Sequence, residues 1–454
     1  MMLSENSYPL FIYKDYTLGD TPGGIRVTFN FTIEGLCDFS PEIIIDTGKI
    51  PRVNGFDSDT AKSIVFCLGL VEAVSYFKAV CPEKIRIDCG TLTDSQAQWF
   101  KKLWFNGLGE FFFVNKMNVT LEDFITVESH GKAAPVSGSY TSAGRCIIPV
   151  GGGKDSCVTA ELLKAHKSRN LFLTVNDQPA RTDCIIAAGY CADSVIRVTR
   201  TIDKRLLELN KRGFYNGHTP FSAIVAFISL YCAYITGSDN IALSNESSAN
   251  EGNTDGGVNH QYSKSYEFET DFSEFVAESI TDKIRYFSLL RPFNELQIAK
   301  YFAAQKKYLP VFRSCNRGSK KNIWCCECAK CLFVYGILSP FLSDCELDAV
   351  FGERLFENEE LLECFKGLTG INPVKPFECV GTAREYVYAV SVKIQRIKQG
   401  GGELPALLKY FDSVTDTKAT ASDSSLLREF NAQNSVPPVF ADAVREMYDY
   451  VSRN

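Results

Sequence analysis

The chain has 454 residues, of which 45% are hydrophobic and 22% are charged, proportions that are typical of a folded globular protein and exclude a disordered or fibrous one. Its formal net charge is −6 and it contains no long basic run, so the sequence predicts no extended surface for a nucleic acid or an acidic membrane. A chain of this length predicts two or three domains.

The sequence predicts neither a membrane span nor a secretory signal. The longest apolar stretch, Ala223 to Thr236, has about 14 residues, whereas a span needs about 20, so it predicts a buried helix. The first residues carry acid and lack a basic region followed by an apolar one, which favours a cytoplasmic protein. Among the 17 cysteines, Cys67, Cys184 and Cys232 stand singly in apolar segments and are predicted to be buried thiols.

Residues 1–140 predict an N-terminal α+β domain. Runs of β-forming residues alternate there with segments of helical apolar periodicity. The predicted strands are Ile25 to Ile33, Glu42 to Ile45 and Lys84 to Asp88, and the predicted helices are Ile64 to Ala79 and Ser95 to Trp104. The stretch Gly131 to Gly144 is rich in Gly, Ser and Ala, so it predicts a linker and a domain boundary near residue 140.

Residues 141–345 predict an α/β domain with a doubly wound parallel sheet. Short unbroken apolar strands alternate with helices, a pattern that is typical of parallel strands covered on both faces. The predicted strands are Cys146 to Val150, Leu171 to Val175, Ser194 to Val198 and Asn240 to Leu243, and the predicted helices are Asp155 to His166, Asp183 to Tyr190 and one from Pro220.

Residues 346–454 predict a helical C-terminal region. Its predicted helices are Arg384 to Gln399, Ser424 to Phe430 and Val439 to Val451, and the loop Gly400 to Leu404 follows the first of them. The sequence shows no internal repeat and no low-complexity tract.

A glycine loop follows the first predicted strand of the middle domain. It consists of Gly151, Gly152, Gly153, Lys154, Asp155 and Ser156. Because glycine has no Cβ, backbone amides can surround phosphate oxygens, and the N-terminus of the following helix adds partial positive charge. The loop lacks the spacing of a Walker motif and the third glycine of a dinucleotide fingerprint. The alternative that needs no ligand is a glycine turn capped by Asp155 or Ser156.

The glycine loop resembles the pyrophosphatase loop, which reads Ser-Gly-Gly-x-Asp-Ser after a buried strand, with Gly151 in place of the first serine. The resemblance implies a fold of the adenine nucleotide alpha-hydrolase type, binding of ATP, cleavage between its α- and β-phosphates, and adenylation of a substrate oxygen. It also implies that Asp155 takes part in catalysis by approaching Mg²⁺ on the phosphates. Gly151 lacks a hydroxyl that could contact phosphate, so the other loop residues would carry more of that contact.

Polar residues also follow two other strands of the predicted sheet, at Asn176-Asp177 and at Ser244-Asn245-Glu246. In an open parallel sheet, ligands bind beyond the carboxyl ends of the strands. Asn176 and Asn245 are therefore predicted to bind the nucleotide together with the glycine loop.

Five of the 17 cysteines fall between Cys315 and Cys331. The spacing Cys-x2-Cys-x2-Cys, with one cysteine upstream, supplies four thiolates for a closed tetrahedral zinc site, while an iron–sulfur cluster or free thiols are alternatives. The cyano-deazaguanine synthases of queuosine biosynthesis, also pyrophosphatase-loop enzymes, carry a similar zinc pattern, which favours Cys325 over Cys326 as ligand. We therefore predict structural Zn²⁺ on Cys315, Cys325, Cys328 and Cys331.

Several further segments indicate which family of pyrophosphatase-loop enzymes the chain resembles. They are Gly107 to Phe111, Asn216 to Pro220, Ser244 to Ala249, Val258 to Ser265, Leu290 to Pro292 and Phe312 to Asn316. With the glycine loop, they resemble the ATP-dependent UDP-N-acetyl-alpha-D-muramoyl-L-alanyl-L-glutamate epimerases of peptidoglycan synthesis, from about residue 60 to 345. The resemblance implies an enzyme that converts the terminal L-Glu of this nucleotide-linked dipeptide to D-Glu while ATP becomes AMP and pyrophosphate.

The implied reaction needs one or two proton carriers with a pKa near neutral, because adenylation only makes the α-proton removable. Of the four histidines, His218 and His260 lie in polar loops of the middle domain and are the first candidates. Glu246, Lys264 and Cys315 are alternative carriers, although a zinc ion on Cys315 would argue against that residue. Lys264 and Arg291 could instead hold the acidic groups of the substrate, or form structural ion pairs.

The implied partners are ATP, Mg²⁺ and the UDP-muramoyl dipeptide, without nucleic acid or membrane, and the sequence leaves a homo-oligomer open. Two other functions stay open. A related pyrophosphatase-loop enzyme could adenylate a base or a tRNA for sulfur transfer or deazaguanine modification, although the negative charge argues against tRNA. A zinc-stabilised nucleotide sensor would bind ATP without releasing pyrophosphate.

Overall fold

The computed structural model describes residues 8–131, 139–252 and 258–453, so half of the predicted linker, residues 132–138, lies outside the described residues. The strands are β1 Leu10–Thr21, β2 Gly24–Ile33, β3 Cys37–Phe39, β4 Glu42–Asp46, β5 Lys84–Ile87, β6 Thr126–Ser129, β7 Arg145–Pro149, β8 Asn170–Val175, β9 Val195–Thr201, β10 Ser238–Leu243 and β11 Arg285–Ser288. All of the strands predicted from the sequence are present.

The α-helices lie mostly in the middle and C-terminal parts of the chain. They are α1 Asp59–Phe77, α2 Asp94–Gly107, α3 Gly109–Val114, α4 Lys154–Leu162, α5 Pro179–Ala187, α6 Lys204–Lys211, α7 Phe221–Thr236, α8 Tyr266–Ser279, α9 Glu295–Ala304, α10 Ala329–Leu338, α11 Asp344–Phe351, α12 Leu362–Leu368, α13 Ala383–Gln399, α14 Ala406–Val414, α15 Thr417–Ser422 and α16 Ala441–Ser452.

The 11 strands of the described residues form one mixed sheet, in the order β11-β10-β7-β8-β9-β4-β2-β1-β5-β6, with β3 beside β2. The five strands from β11 to β9 run parallel to their neighbours, as predicted for the middle of the chain. Strand β4 then pairs antiparallel with β9, so the N-terminal strands extend the same sheet. The α/β class is confirmed, but the sheet as a whole is not parallel.

The order of the parallel strands defines where a ligand can bind. Numbered along the chain, the five strands lie across the sheet as 3-2-1-4-5, and the order reverses between β7 and β10. Connections leave β7 and β10 toward opposite faces there, which opens a crevice beyond their carboxyl ends. The glycine loop follows β7, and the segment Ser244-Asn245-Glu246 follows β10.

Two apolar cores cover the two faces of the sheet. Helices α1 and α7 pack in one core, together with the N-terminal strands, and α4, α9, α10 and α13 pack in the other. Helix α1 is the one described helix that is long and apolar enough to cross a membrane, but 94% of its most apolar window is buried inside the protein, which is typical of a core helix. The predicted buried thiols Cys67, Cys184 and Cys232 are confirmed as buried, and none of the three forms a disulfide bond.

One predicted helix of the C-terminal region is shorter than expected. Residues 424–430 form only a 3-10 segment, Ser424–Arg428, and Glu429 is extended. The side chains of Asn294 and Gln297 on the neighbouring α9 donate to the carbonyl oxygens of Leu426 and Glu429, each at 2.8 Å. Both carbonyl oxygens therefore accept hydrogen bonds from side chains instead of from a further helical turn. These side chains are distant in sequence, so helical periodicity could not predict their effect.

The close packing of α1 on the sheet yields a stability prediction. A Cβ at Gly69 would lie 2.0 Å from the hydroxyl oxygen of the fully buried Tyr13. Alanine alone would favour the helix by about 1 kcal/mol, but overpacking a core costs about 1–3 kcal/mol, so we expect Gly69→Ala to lower the melting temperature. Gly19→Ala is the control, because nothing lies within 4 Å of a Cβ there. Equal melting of both variants and the parent would contradict the packing described.

Candidate active site

A cavity of about 300 Å³ lies beyond the carboxyl ends of β7 and β10, at the point where the strand order reverses. The glycine loop forms one side of it, and Ser244, Asn245 and Glu246 form another. Charged side chains from later segments complete the wall: Arg181, Lys264, Arg313 and Lys330. The cavity is therefore bounded by the glycine loop on one side and by several buried or half-buried charged side chains on the others.

The glycine loop is held open toward this cavity by the segment that follows Phe312. The amide of Arg313 donates to the carbonyl oxygen of Gly152 at 2.8 Å, and Gly152 has a φ of +84°, in the region that favours glycine. A Cβ at Gly153 would lie 2.8 Å from the Ser314 hydroxyl oxygen. Helix α4 begins directly after Gly153, so the loop presents backbone amides and a helix N-terminus to the cavity, which suits an anion.

Lys154 does not line the cavity but is buried behind it, with 1% of its side chain exposed. Its ammonium group pairs with the carboxylates of Asp155 and Glu295. Burial opposes ionisation of Asp155, but Lys154 and Lys330 outweigh it and lower the pKa of Asp155. Asp155 is therefore an ionised carboxylate on the cavity wall, and carboxylate oxygen is a preferred ligand of Mg²⁺.

The other predicted nucleotide-binding residues differ in position. Ser156 lines the cavity and its hydroxyl donates to the carbonyl oxygen of Gly153 at 3.1 Å. Asn245 also lines it. Asn176 is not among the described lining residues: it has a φ of +52°, and its side-chain oxygen accepts from the Arg200 amide at 2.7 Å. Asn176 thus ties the end of β8 to β9 in this structure.

Arg291 forms a structural ion pair, the second of the two alternatives that the sequence left open. Its guanidinium is fully buried and pairs with Glu269 at 3.0 Å. The same group donates to the carbonyl oxygens of Glu246 and Lys264, each at 2.6 Å. Arg291 therefore fixes the backbone of two residues that project into the cavity rather than contacting a ligand there.

Two of the alternative proton carriers, Glu246 and Lys264, line the cavity, and Cys315 is not among its described lining residues. Burial and the neighbouring Asp155 raise the pKa of Glu246, so its carboxyl group favours the protonated form more than an exposed glutamate does. Lys264 donates to the Sγ atom of Cys379 at 3.0 Å. Burial lowers the pKa of Lys264, but Cys379 and Glu246 outweigh it, and the pKa is raised overall.

The two candidate histidines lie together beside Glu110, and neither is among the described residues that line the cavity. Their ring centroids are 4.3 Å apart, and both Nδ1 atoms face the same Glu110 oxygen. Burial and the charge of His260 lower the pKa of His218 to about 4. Burial also opposes the charge of His260, but hydrogen bonds with Cys379 and Glu110 raise its pKa to about 9.

Sequence reasoning assigned no role to five residues of this site: Glu110, Arg181, Arg313, Lys330 and Cys379. Glu110 lies inside a segment that carries the family resemblance but has no motif of its own. Lys330 is hidden between two predicted zinc ligands, and Cys379 is one of many single cysteines, in the C-terminal region that contributed little to the resemblance. No sequence signal distinguishes Cys379, because its partners Lys264 and His260 are more than 100 positions away.

The cysteine cluster lies near the cavity, on the segment that leads into α10. The Sγ atoms of Cys315, Cys325, Cys328 and Cys331 all lie within 4.8 Å of one another, and Cys325 and Cys331 are 3.8 Å apart. Sulfur atoms bound to one tetrahedral zinc at about 2.3 Å stand roughly 3.8 Å apart. Cys326 is outside the cluster, with its Sγ atom 3.4 Å from the Phe351 carbonyl oxygen. These four cysteines have the arrangement that zinc requires.

Comparison with known proteins shows the family. The MurL N-terminal domain model matches residues 2–289, and the MurL C-terminal domain model matches residues 311–424, so the similarity reaches further toward both ends than the sequence segments indicated. No solved structure matches the chain.

Curated relatives extend over most of the chain. UDP-N-acetyl-alpha-D-muramoyl-L-alanyl-L-glutamate epimerase of Xanthomonas oryzae pv. oryzae is 31% identical over 90% of this chain and 92% of its own length. The proteins of the same name from a Micromonospora species and from Salinispora tropica are 30% and 32% identical, each over 85% of this chain and over 87% and 84% of their own lengths. The chain therefore belongs to the MurL family.

Proposed function

We propose that this protein epimerises the terminal L-Glu of UDP-N-acetylmuramoyl-L-Ala-L-Glu to D-Glu in peptidoglycan synthesis, consuming ATP and forming AMP and pyrophosphate. The names of the curated relatives support the epimerisation and its substrate. The use of ATP is supported by one observation above all: an anion-binding loop and an ionised carboxylate share a cavity with groups able to carry protons.

The reaction explains why such a cavity would need a nucleotide. Removing the proton beside an ionised carboxylate would leave two negative charges on adjacent groups. Adenylation of that carboxylate gives a neutral acyl-adenylate, whose carbonyl can delocalise the electron pair that remains at Cα. A base can then remove the α-proton, an acid can return one to the opposite face, and water can release AMP. The fold must therefore supply phosphate binding and proton transfer at one place.

Two half-buried guanidinium groups support binding of a polyanion in the cavity. Arg181 and Arg313 both line it, and the Nε atom of each is buried without a hydrogen-bond partner in the described structure. Burial lowers the pKa of both groups, because removal from water opposes their positive charge, and a nearby anion would favour that charge. Phosphate oxygens are strong acceptors for such donors. The glycine loop, Arg181 and Arg313 would together hold the phosphates of ATP, and Asp155 would bind their Mg²⁺.

We further propose that the cysteine cluster holds structural zinc. Its sulfur atoms have the mutual distances of a closed site, and the amide of Gly318 donates to the Cys315 sulfur at 3.1 Å, as amides do around metal-bound thiolates. Cys331 lies in the first turn of helix α10, next to Lys330, which lines the cavity. A metal at this point would therefore fix the position of one cavity wall.

Replacement of the proposed Mg²⁺ ligand should stop adenylation. We expect Asp155→Asn to reduce substrate-dependent pyrophosphate release by at least about 100-fold, because the amide cannot balance the metal charge. Circular dichroism and thermal melting check that the fold survives the loss of the Lys154 ion pair. Asp193→Asn is the control, since Asp193 is exposed and pairs with Lys49 at the surface, at 3.0 Å. Pyrophosphate release at the parental rate in Asp155→Asn would refute the assignment.

Two adjacent cysteines provide a matched test of the zinc site. We expect purified protein to contain about one zinc per chain, and Cys328→Ser to lose that metal and melt at a lower temperature, because a closed site contributes to folding. Cys326→Ser should keep the metal, since Cys326 lies outside the cluster. Metal content is measured by elemental analysis. Zinc-free protein, or equal metal loss in both variants, would contradict the site.

Epimerisation in deuterated water should label the product. We expect deuterium at Cα of D-Glu, because the α-proton exchanges with a solvent-derived one. His260→Ala should slow this labelling by at least about 10-fold while pyrophosphate release is retained, since His260 forms a hydrogen bond with Cys379 on the cavity wall. His130→Ala is the control, because that histidine is exposed. Unchanged labelling in both His260→Ala and His218→Ala would remove histidine from the mechanism.

A further inference from the structure

We infer that Cys379 is a catalytic proton carrier of this epimerisation, and that Lys264 and His260 are positioning residues that hold it as a thiolate; the inference rests on the proposed function. It follows from a cluster of charged side chains around one sulfur atom on the cavity wall. Nothing in the family names or in the sequence motifs singles out this cysteine.

The surroundings fix Cys379 at the cavity. It precedes helix α13, lines the cavity together with Asp155, Glu246 and Lys264, and accepts a hydrogen bond from the Lys264 ammonium at 3.0 Å. Its backbone is held as well, because the Lys330 ammonium donates to the Cys379 carbonyl oxygen. A sulfur atom that accepts a hydrogen bond from a cation beside the cavity is suited to a role in catalysis, and not only to packing in the core.

A chain of hydrogen bonds connects this sulfur with a half-buried carboxylate. Glu110 bonds the Nδ1 atom of His260, and His260 in turn forms a hydrogen bond with Cys379. The carboxylate orients the imidazole and stabilises its charge, so the charged ring can support a thiolate at its other side. The three residues come from α3, from the loop before α8 and from the segment before α13, so only the folded chain assembles them.

The charges that face Cys379 favour its ionised form. Burial raises the pKa of the thiol, but Lys264, His260 and Lys330 outweigh burial and lower the pKa to about 5, against the opposing charge of the adjacent Glu378. Buried thiols without such cations behave differently. Burial raises the pKa of Cys67 to about 12, and that of Cys364 likewise to about 12. Cys379 is therefore a thiolate at neutral pH, which can accept a proton.

The proposed step conserves atoms and charge. The Cys379 thiolate takes the α-proton of the L-glutamyl acyl-adenylate and becomes a thiol, while the C–H electron pair moves into the acyl carbonyl as an enolate. Glu246, whose protonated form is favoured by burial, donates its proton to the opposite face of Cα, which restores the carbonyl. Water then breaks the acyl–phosphate bond to give D-Glu and AMP. The thiol returns its proton to solvent, and Glu246 takes one up.

The test separates proton transfer from adenylation. We expect Cys379→Ser and Cys379→Ala to keep ATP–pyrophosphate exchange within about 3-fold of the parent, and to lose about 100-fold or more in epimerisation and in deuterium labelling at Cα. Cys345→Ala, at an exposed cysteine of α11, should match the parent in both assays.

Epimerisation by Cys379→Ser within about 3-fold of the parent would overturn the inference. So would a peptidyl adduct on Cys379 in acid-quenched protein. Absence of ATP–pyrophosphate exchange in the parent would instead refute the proposed function.

A second measurement uses the parent protein, so it does not depend on the folding of a Cys379 variant. We expect iodoacetamide to alkylate Cys379 at a rate that changes little between pH 6 and 8, because the thiolate already dominates there, whereas a free thiol in solution should react about 10-fold faster per pH unit. Lys264→Met and His260→Gln should move the midpoint of Cys379 alkylation to higher pH, an effect that loss of packing alone would not produce. A Cys379 profile that rises as steeply as that of the free thiol would overturn the inference.

Discussion

The arrangement of this site depends on the ion pair and the hydrogen bonds that the fully buried Arg291 guanidinium forms. This group pairs with Glu269 and binds the carbonyl oxygens of Glu246 and Lys264, two residues that lie on different segments. Removing one partner of such a pair leaves an uncompensated buried charge, which destabilises proteins strongly. The geometry of the cavity is thus tied to the integrity of the core, and the two side chains that project into it have little freedom to separate.

Buried charges of opposite sign are the common feature of the cavity. Lys154 balances Asp155 and Glu295, and Lys264 balances Cys379 and Glu246. In a low-dielectric environment each charge strongly perturbs its neighbours, so the pKa values of Glu246 and Cys379 move in opposite directions. The raised pKa favours the protonated form of Glu246 and the lowered pKa favours the ionised form of Cys379, which are the states that an acid and a base need for proton transfer.

The site is assembled from all parts of the chain. Glu110 comes from the N-terminal part, the glycine loop and Glu246 from the parallel strands, and Cys379 from the C-terminal region. The N-terminal strands join the parallel ones through the β4–β9 pair, and α13 packs against α10, whose first turn carries Lys330. Loss of either contact would therefore displace functional groups as well as reduce stability.

The sequence by itself determined the features that depend on local spacing: the strand–glycine–helix loop, the cysteine cluster with Cys325 as a member, and the alternation that produces parallel strands. Only the tertiary structure decided which long-range partners each side chain meets. In the folded chain Lys154 is buried against Glu295, and the side chains of Asn176 and Arg291 form hydrogen bonds with backbone groups. Lys264 and His260 both contact Cys379. The physical reason is that burial and ion pairing depend on residues far apart in sequence, which no local pattern records.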